Sequence, residues 1–186
     1  MVNEAEIIRG LINGDETAIE LIIGHLGSRL LRSATAITGD IHIAEEVVQD
    51  TFIQVIRKIN TFQEGSSLES WVFRIAMNLA KNRLRGWWFH KVSTGITEGQ
   101  SIVTYNNASF SPEGSIITSE TRQEVMSCLQ HLPMKYREVI VLYYLEDLSI
   151  NQISSVLNQP EGTIKSKLSR ARKLLKAEIE GRGLVF

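Results

Sequence analysis

The stretch "LSINQISSVLNQPEGTIKSKLSRARKLLK", residues 148–176, decides the fold of the second half of this chain. Its first part places Ile153, Val156 and Leu157 on one side of a short helix, with Ser149 in position to cap it. A turn is expected at Asn158–Gly162, and a second helix follows, capped by Gly162 or Thr163. Projected at 100° per residue, Ile164, Leu168, Ala171 and Leu175 fall on one stripe. Lys165, Ser166, Ser169, Arg170, Lys173 and Lys176 fall on the opposite half. Between Lys165 and Lys176 there are basic residues and no acid, so the charge faces outward without partners in its own helix. A short helix, a tight turn and a basic helix make a helix-turn-helix, whose second helix enters the DNA major groove. Lys165, Ser166, Lys167, Ser169, Arg170 and Lys173 are the expected readers: long donors for guanine edges and phosphates, and small hydroxyls that permit close approach.

That concentration of charge is local. The 186-residue chain has 20 Lys and Arg against 21 Asp and Glu, a formal net charge of −1. Residues 1–92 are dense in apolar positions at helical spacing. Residues 93–118 are rich in Ser, Thr, Gly and Asn and hold two acids, Glu98 and Glu113, but no base. Residues 119–186 resume the helical pattern. The expected architecture is all-α: two small helical domains, 1–92 and 119–186, joined by a flexible linker at 93–118. "SIVTY" at 101–105 is the one strand candidate. In the first domain Asp15 caps a helix over Thr17–Leu31, Asp40 caps one over 42–59, and Ser66 or Ser67 caps one that stops at Gly86.

A second basic face lies in "ESWVFRIAMNLAKNRLRGWWFHK", residues 69–91, which has no acid after Glu69. Arg74, Asn78, Lys81, Asn82 and Arg85 share one side, with Trp71 at its edge and Trp87 and Trp88 beyond. Val72, Ile75, Ala76, Leu79 and Ala80 share the other. Cations and amides flanked by aromatics suit an unstacked single strand, because every base has a stacking face and every backbone is anionic.

No apolar run approaches the length of a membrane span, and the N-terminus shows no secretory pattern. The single cysteine, Cys128, suits a reducing, cytoplasmic setting and reads as core packing. His25, His42, His90 and His131 are scattered without metal-ligand spacing, and no phosphate-binding glycine loop occurs. Neither an enzyme nor a cofactor site is expected, and Glu45 and Glu46 are adjacent in sequence, so they point to different sides of a helix.

Three stretches in order, "HIAEEVVQDTFIQVIRKINTFQ", "SWVFRIAMNLAKNRLR" and "LSINQISSVLNQPEGTIKSKLSRAR", resemble regions 2.2, 2.3–2.4 and 4.2 of bacterial RNA polymerase sigma factors of the extracytoplasmic-function (ECF) group. The resemblance covers nearly the whole chain. It implies a first domain that binds the clamp helices of core RNA polymerase and melts the −10 element, and a second that reads the −35 element, near the polymerase flap. Asn78 matches the asparagine at the pocket for a flipped −10 base, and Glu46, Gln49 and Asp50 lie in the polymerase-binding stretch. A membrane-anchored anti-sigma factor is a further partner the resemblance allows. The rival reading is a helix-turn-helix regulator with an N-terminal sensing or dimerisation domain. That reading accounts for residues 119–186 and leaves the basic face at 71–85 unexplained.

Overall fold

A computed structural model describes residues 3–63, 65, 67–94 and 119–183. Every element among them is helical. In chain order they are α1 (Glu4–Asn13), α2 (Glu16–Thr38), α3 (Ile41–Lys58), a 3-10 turn (Ile59–Thr61), α4 (Leu68–Thr94), α5 (Ser119–His131), α6 (Met134–Ile140), a π-helical turn (Val141–Leu145), α7 (Ile150–Leu157) and α8 (Glu161–Gly181). The strand candidate at 101–105 and most of the expected linker lie outside the described residues.

Local chemistry fixes the helix starts. Asp15 accepts from Thr17 N at 2.9 Å, and Asp40 accepts from His42 N and Ile43 N at 2.8 and 3.0 Å. Ser67 Oγ accepts from Ser70 N at 3.2 Å ahead of α4. Ser149 and Gln152 form a reciprocal capping box on α7. The first helix, α1, escaped the sequence reading although Asn3 and Glu6 form the same box.

Three boundaries differ from expectation. α2 runs past Leu31 to Thr38 and ends at Gly39, in the left-handed region at φ 77°. α4 passes through Gly86 to Thr94. A glycine stops a helix when it takes up positive φ after the last turn, and Gly86 does not. α8 begins at Glu161, with Pro160 at the cap position in place of Gly162 or Thr163; Pro160 O accepts from Thr163 N and Ile164 N at 2.9 and 3.1 Å.

α2, α3 and α4 pack around Leu30, Val47, Val55, Val72, Phe73 and Met77, all essentially without solvent contact. In the second half, α6, α7 and α8 enclose Val139, Leu142, Ile153 and Ile164. Burying each such side chain contributes about 1.5–3 kcal/mol before the entropy of ordering it. Cys128 is buried, and burial pushes its thiol pKa up, which suits packing rather than reactivity.

The halves do not stand apart. α7 lies against α4, and α5, α6 and the π turn lie against α2. The last turns of α2 are consequently buried on every side, from Ser33 to Thr38. Small residues there let the second half approach closely. A Cβ at Gly39 would sit 2.8 Å from Gln130 Oε1.

Candidate nucleic-acid interface

The α8 face follows from its spacing. Ile164, Leu168 and Ala171 are buried and Leu175 half-buried, while Lys165, Ser166, Ser169, Arg170, Lys173 and Lys176 are exposed. Lys167 differs: it turns inward, its side chain 16% exposed, to Glu138 Oε1 at 3.2 Å. The face is also less lonely than its own window implies. Lys165 approaches Glu161 at 3.8 Å and Lys176 approaches Glu180 at 3.6 Å, both exposed i,i+4 pairs of small energetic consequence. Arg170 hydrogen-bonds the Tyr136 hydroxyl and so lowers its pKa, against a smaller opposing effect of burial. Arg172 lies apart from the reading face, its Nε donating to Tyr144 Oη at 2.8 Å with its guanidinium over the Tyr143 ring.

On α4 the expected face divides. Asn78, Asn82 and Arg85 are exposed, and Arg85 donates to Asn82 Oδ1. Trp71 is half-buried, edge-on to Phe62 with ring centroids 5.6 Å apart. Arg74 and Lys81 are half-buried beneath the second half. Arg74 Nε donates to Ser155 O at 2.9 Å, and Lys81 Nζ to Glu138 Oε2 at 3.2 Å. So one carboxylate of α6 holds Lys81 of the first basic face and Lys167 of the second. The side chains of Trp87 and Trp88 lie outside the described part of the structure.

On α3, Glu46 and Asp50 are joined to Arg83 of α4 at 2.5 and 2.6 Å, and Gln49 is exposed beside them. These acids hold Arg83 fully cationic, the hydrogen bond to Asp50 contributing most. Further along the same helix Ile53 and Ile56 are exposed. They extend the face with apolar surface that the sequence reading, which looked for charge, passed over.

Residues 22–89 match the family model for sigma-70 region 2, and residues 122–175 match that for sigma-70 region 4. The chain belongs to the sigma-70 family. Its curated relatives place it with ECF sigma factors. The ECF RNA polymerase sigma factor SigW of Bacillus subtilis is 29% identical over 176 residues, covering 92% of this chain and 94% of the relative. The ECF RNA polymerase sigma-E factor of Escherichia coli is 27% identical over 184 residues, covering 94% and 93%. Among solved structures, the sigma factor RpoE in complex with the anti-sigma factor NepR, from Bartonella quintana, superposes with a TM-score of 0.67 at 25% identity, covering 87% of this chain and 94% of that one. The fold is also that of CnrH in complex with the cytosolic domain of CnrY, with a TM-score of 0.70 at 22% identity over 94% of this chain and 96% of that one. Trp71–Arg85 and Glu46–Asp50 of this sigma factor fall within the region 2 match, and Lys165–Lys173 within the region 4 match. No helix among the described residues is long and apolar enough to cross a membrane, and no cluster among them could hold a metal ion.

Proposed function

We propose that this ECF-type sigma factor directs core RNA polymerase to promoters by dividing recognition between its two halves, residues 1–92 and 119–186. The observation that carries the reading is the pair of basic faces, one on each half, in a chain without net positive charge. On α8, Lys165, Ser166, Ser169, Arg170 and Lys173 read −35 base edges and phosphates, Lys167 joining them once released from Glu138. On α4, Asn78 receives an extruded −10 base, while Arg74, Lys81, Asn82 and Arg85 track the backbone of the melted strand and Trp71 offers a stacking surface. Extraction costs a few kcal/mol of unstacking, which these contacts offset. The exposed α3 face, with Glu46, Gln49 and Asp50 flanked by Ile53 and Ile56, docks on the clamp helices; α5–α8 sit by the flap.

All of this is binding and positioning work, which needs no catalytic constellation or cofactor and which belongs in the cytoplasm. An anti-sigma factor fits as a partner, in keeping with the anti-sigma complex of the Bartonella relative, and a membrane anchor on it is part of this proposal.

A library of genomic fragments selected on core polymerase with and without the chain tests the division of labour. The expected enriched fragments share two short elements at a fixed spacing. Enrichment of one palindromic element, independent of polymerase, would overturn the proposal in favour of a dimeric regulator.

A further inference from the structure

We propose that Arg83 is a positioning residue of the polymerase-docking face: its guanidinium holds Glu46 and Asp50 as a preset pair of acceptors for the basic side chains of an incoming helix. The inference rests on the assignment of Glu46, Gln49 and Asp50 to core polymerase, and adds how those acids are ordered before the partner arrives.

Arg83 belongs to the basic stretch of α4 without belonging to its DNA face. It follows Asn78 by five residues, roughly 140° around the helix at 100° per residue, so it points away from Asn78, Lys81 and Arg85. On its own side α4 packs against α3. There the two arms of the guanidinium part: Nη1 donates to Glu46 Oε2 at 2.5 Å and Nη2 to Asp50 Oδ2 at 2.6 Å. The two acids stand one turn apart on α3, at the i,i+4 spacing where like charges repel. A cation between them removes that repulsion. A planar fork with a donor on each arm also fixes both carboxylates at once.

Each carboxylate commits one oxygen to Arg83 and keeps the other, Glu46 Oε1 and Asp50 Oδ1, for a donor from outside. The cluster is open to such a donor, the side chains of Arg83, Glu46 and Asp50 being 43%, 57% and 39% exposed. Ile53 and Ile56 continue the same exposed surface. The partner this fits is a helix that carries Arg or Lys beside apolar side chains. Presetting the acids acts on its binding in two opposed ways. It removes rotamer freedom that docking would otherwise have to freeze, which slows dissociation. It also offsets one of the two negative charges, which weakens the attraction that brings a basic surface in and lowers the association rate. A brace between α3 and α4 with no part in docking has no such opposed signature.

Association and dissociation rates of the full chain on immobilised core polymerase, at low and high salt, separate the two effects. Arg83→Gln removes both the charge and the fork. It should raise the low-salt association rate about threefold, steepen its salt dependence, and raise the dissociation rate about tenfold. Arg83→Lys keeps the charge but cannot span both carboxylates, so its association rate should match the parent's while its dissociation rate rises. If Arg83→Gln misfolds by circular dichroism, Arg83→Lys decides the matter. A forked promoter fragment should be held equally by holoenzyme assembled with the parent or with Arg83→Gln. Parent rates in the folded variants would overturn the proposal. So would weaker fork binding with parent rates on polymerase, which makes Arg83 a DNA contact. A parent chain that fails to bind core polymerase refutes the docking assignment itself, and is thus a separate outcome.

Discussion

Replacing Glu146 by Ala removes the buried acceptor on which the two halves meet, and the structure sets the size of the effect. Ser33 Oγ, fully buried, loses its 2.6 Å partner. An unsatisfied buried hydroxyl costs about 1–3 kcal/mol. Arg29 loses its 3.0 Å partner but retains Glu69 at 2.7 Å and is about a quarter exposed, so its loss resembles that of a surface pair, about 1 kcal/mol. Against this, burial already opposes the charge of Glu146: its pKa is raised, with burial the largest cause, outweighing Ser33, Arg29 and Arg32, which act to lower it. The net cost of Glu146→Ala is therefore about 2 kcal/mol. For a chain of this length that lowers Tm by roughly 4–8 °C. Urea unfolding followed by tryptophan fluorescence measures it, and a double-mutant cycle with Ser33→Ala isolates the pair. A coupling of about 1 kcal/mol is expected. Additive effects of Glu146→Ala and Ser33→Ala, or a variant as stable as the parent, would refute the reasoning that this contact holds the halves together.

Lys165→Ala and Arg170→Ala should each cost about 1–3 kcal/mol in binding to promoters that depend on the −35 element, with core-polymerase binding kept; wild-type initiation across salt concentrations would remove α8 from recognition. Asn78→Ala should lower permanganate reactivity of −10 thymines in the open complex, and unchanged reactivity would exclude Asn78 from base capture. Ile53→Glu, on an exposed position, should weaken core-polymerase pull-down while leaving the helical circular dichroism signal intact. The raised pKa of Glu146 sets a pH dependence. The folded chain holds the proton on Glu146 more tightly than a hydrated carboxylate does, so this contribution to stability is fully present at and below the ordinary carboxylate range and is lost as pH rises through the raised value. The groups facing Glu146 are Arg29, Arg32, Ser33 and, through Arg29, Glu69. Urea-unfolding stability measured from the ordinary carboxylate range upward should follow this trend in the parent and lose it in Glu146→Gln.

Helices were legible where periodicity and caps agreed. Asp15, Asp40 and Ser149 start helices in the structure, and the α8 stripe of Ile164, Leu168 and Ala171 is buried as its spacing requires. Gly86 misled because glycine is compatible with a helix interior as well as a stop, at about 1 kcal/mol relative to Ala. The contact between the halves was illegible for a physical reason. Its polar part is made by Glu138, Glu146, Arg29 and Arg137, residues that a hydropathy pattern assigns to solvent, and by backbone carbonyls that carry no sequence signature, while its apolar part is continuous with the core of each half. For the same reason Lys81 and Lys167 read as free cations on two separate faces, when a single carboxylate distant from both in sequence holds them. Ile53 and Ile56 were missed because apolar residues at helical spacing default to the core, and only burial reveals that they face outward.

The division of promoter recognition between two weak faces makes one demand above the others: binding must depend on core polymerase, which fixes the separation at which both faces act. Run-off transcription on an enriched fragment, with core polymerase alone, the chain alone and the two together, tests this most directly when paired with a mobility shift of the same fragment. The expected result is a transcript from a fixed start only with both components, and weak, salt-sensitive binding by the chain alone. Tight, specific binding of the fragment by the free chain, with no transcript when core polymerase is added, would contradict it.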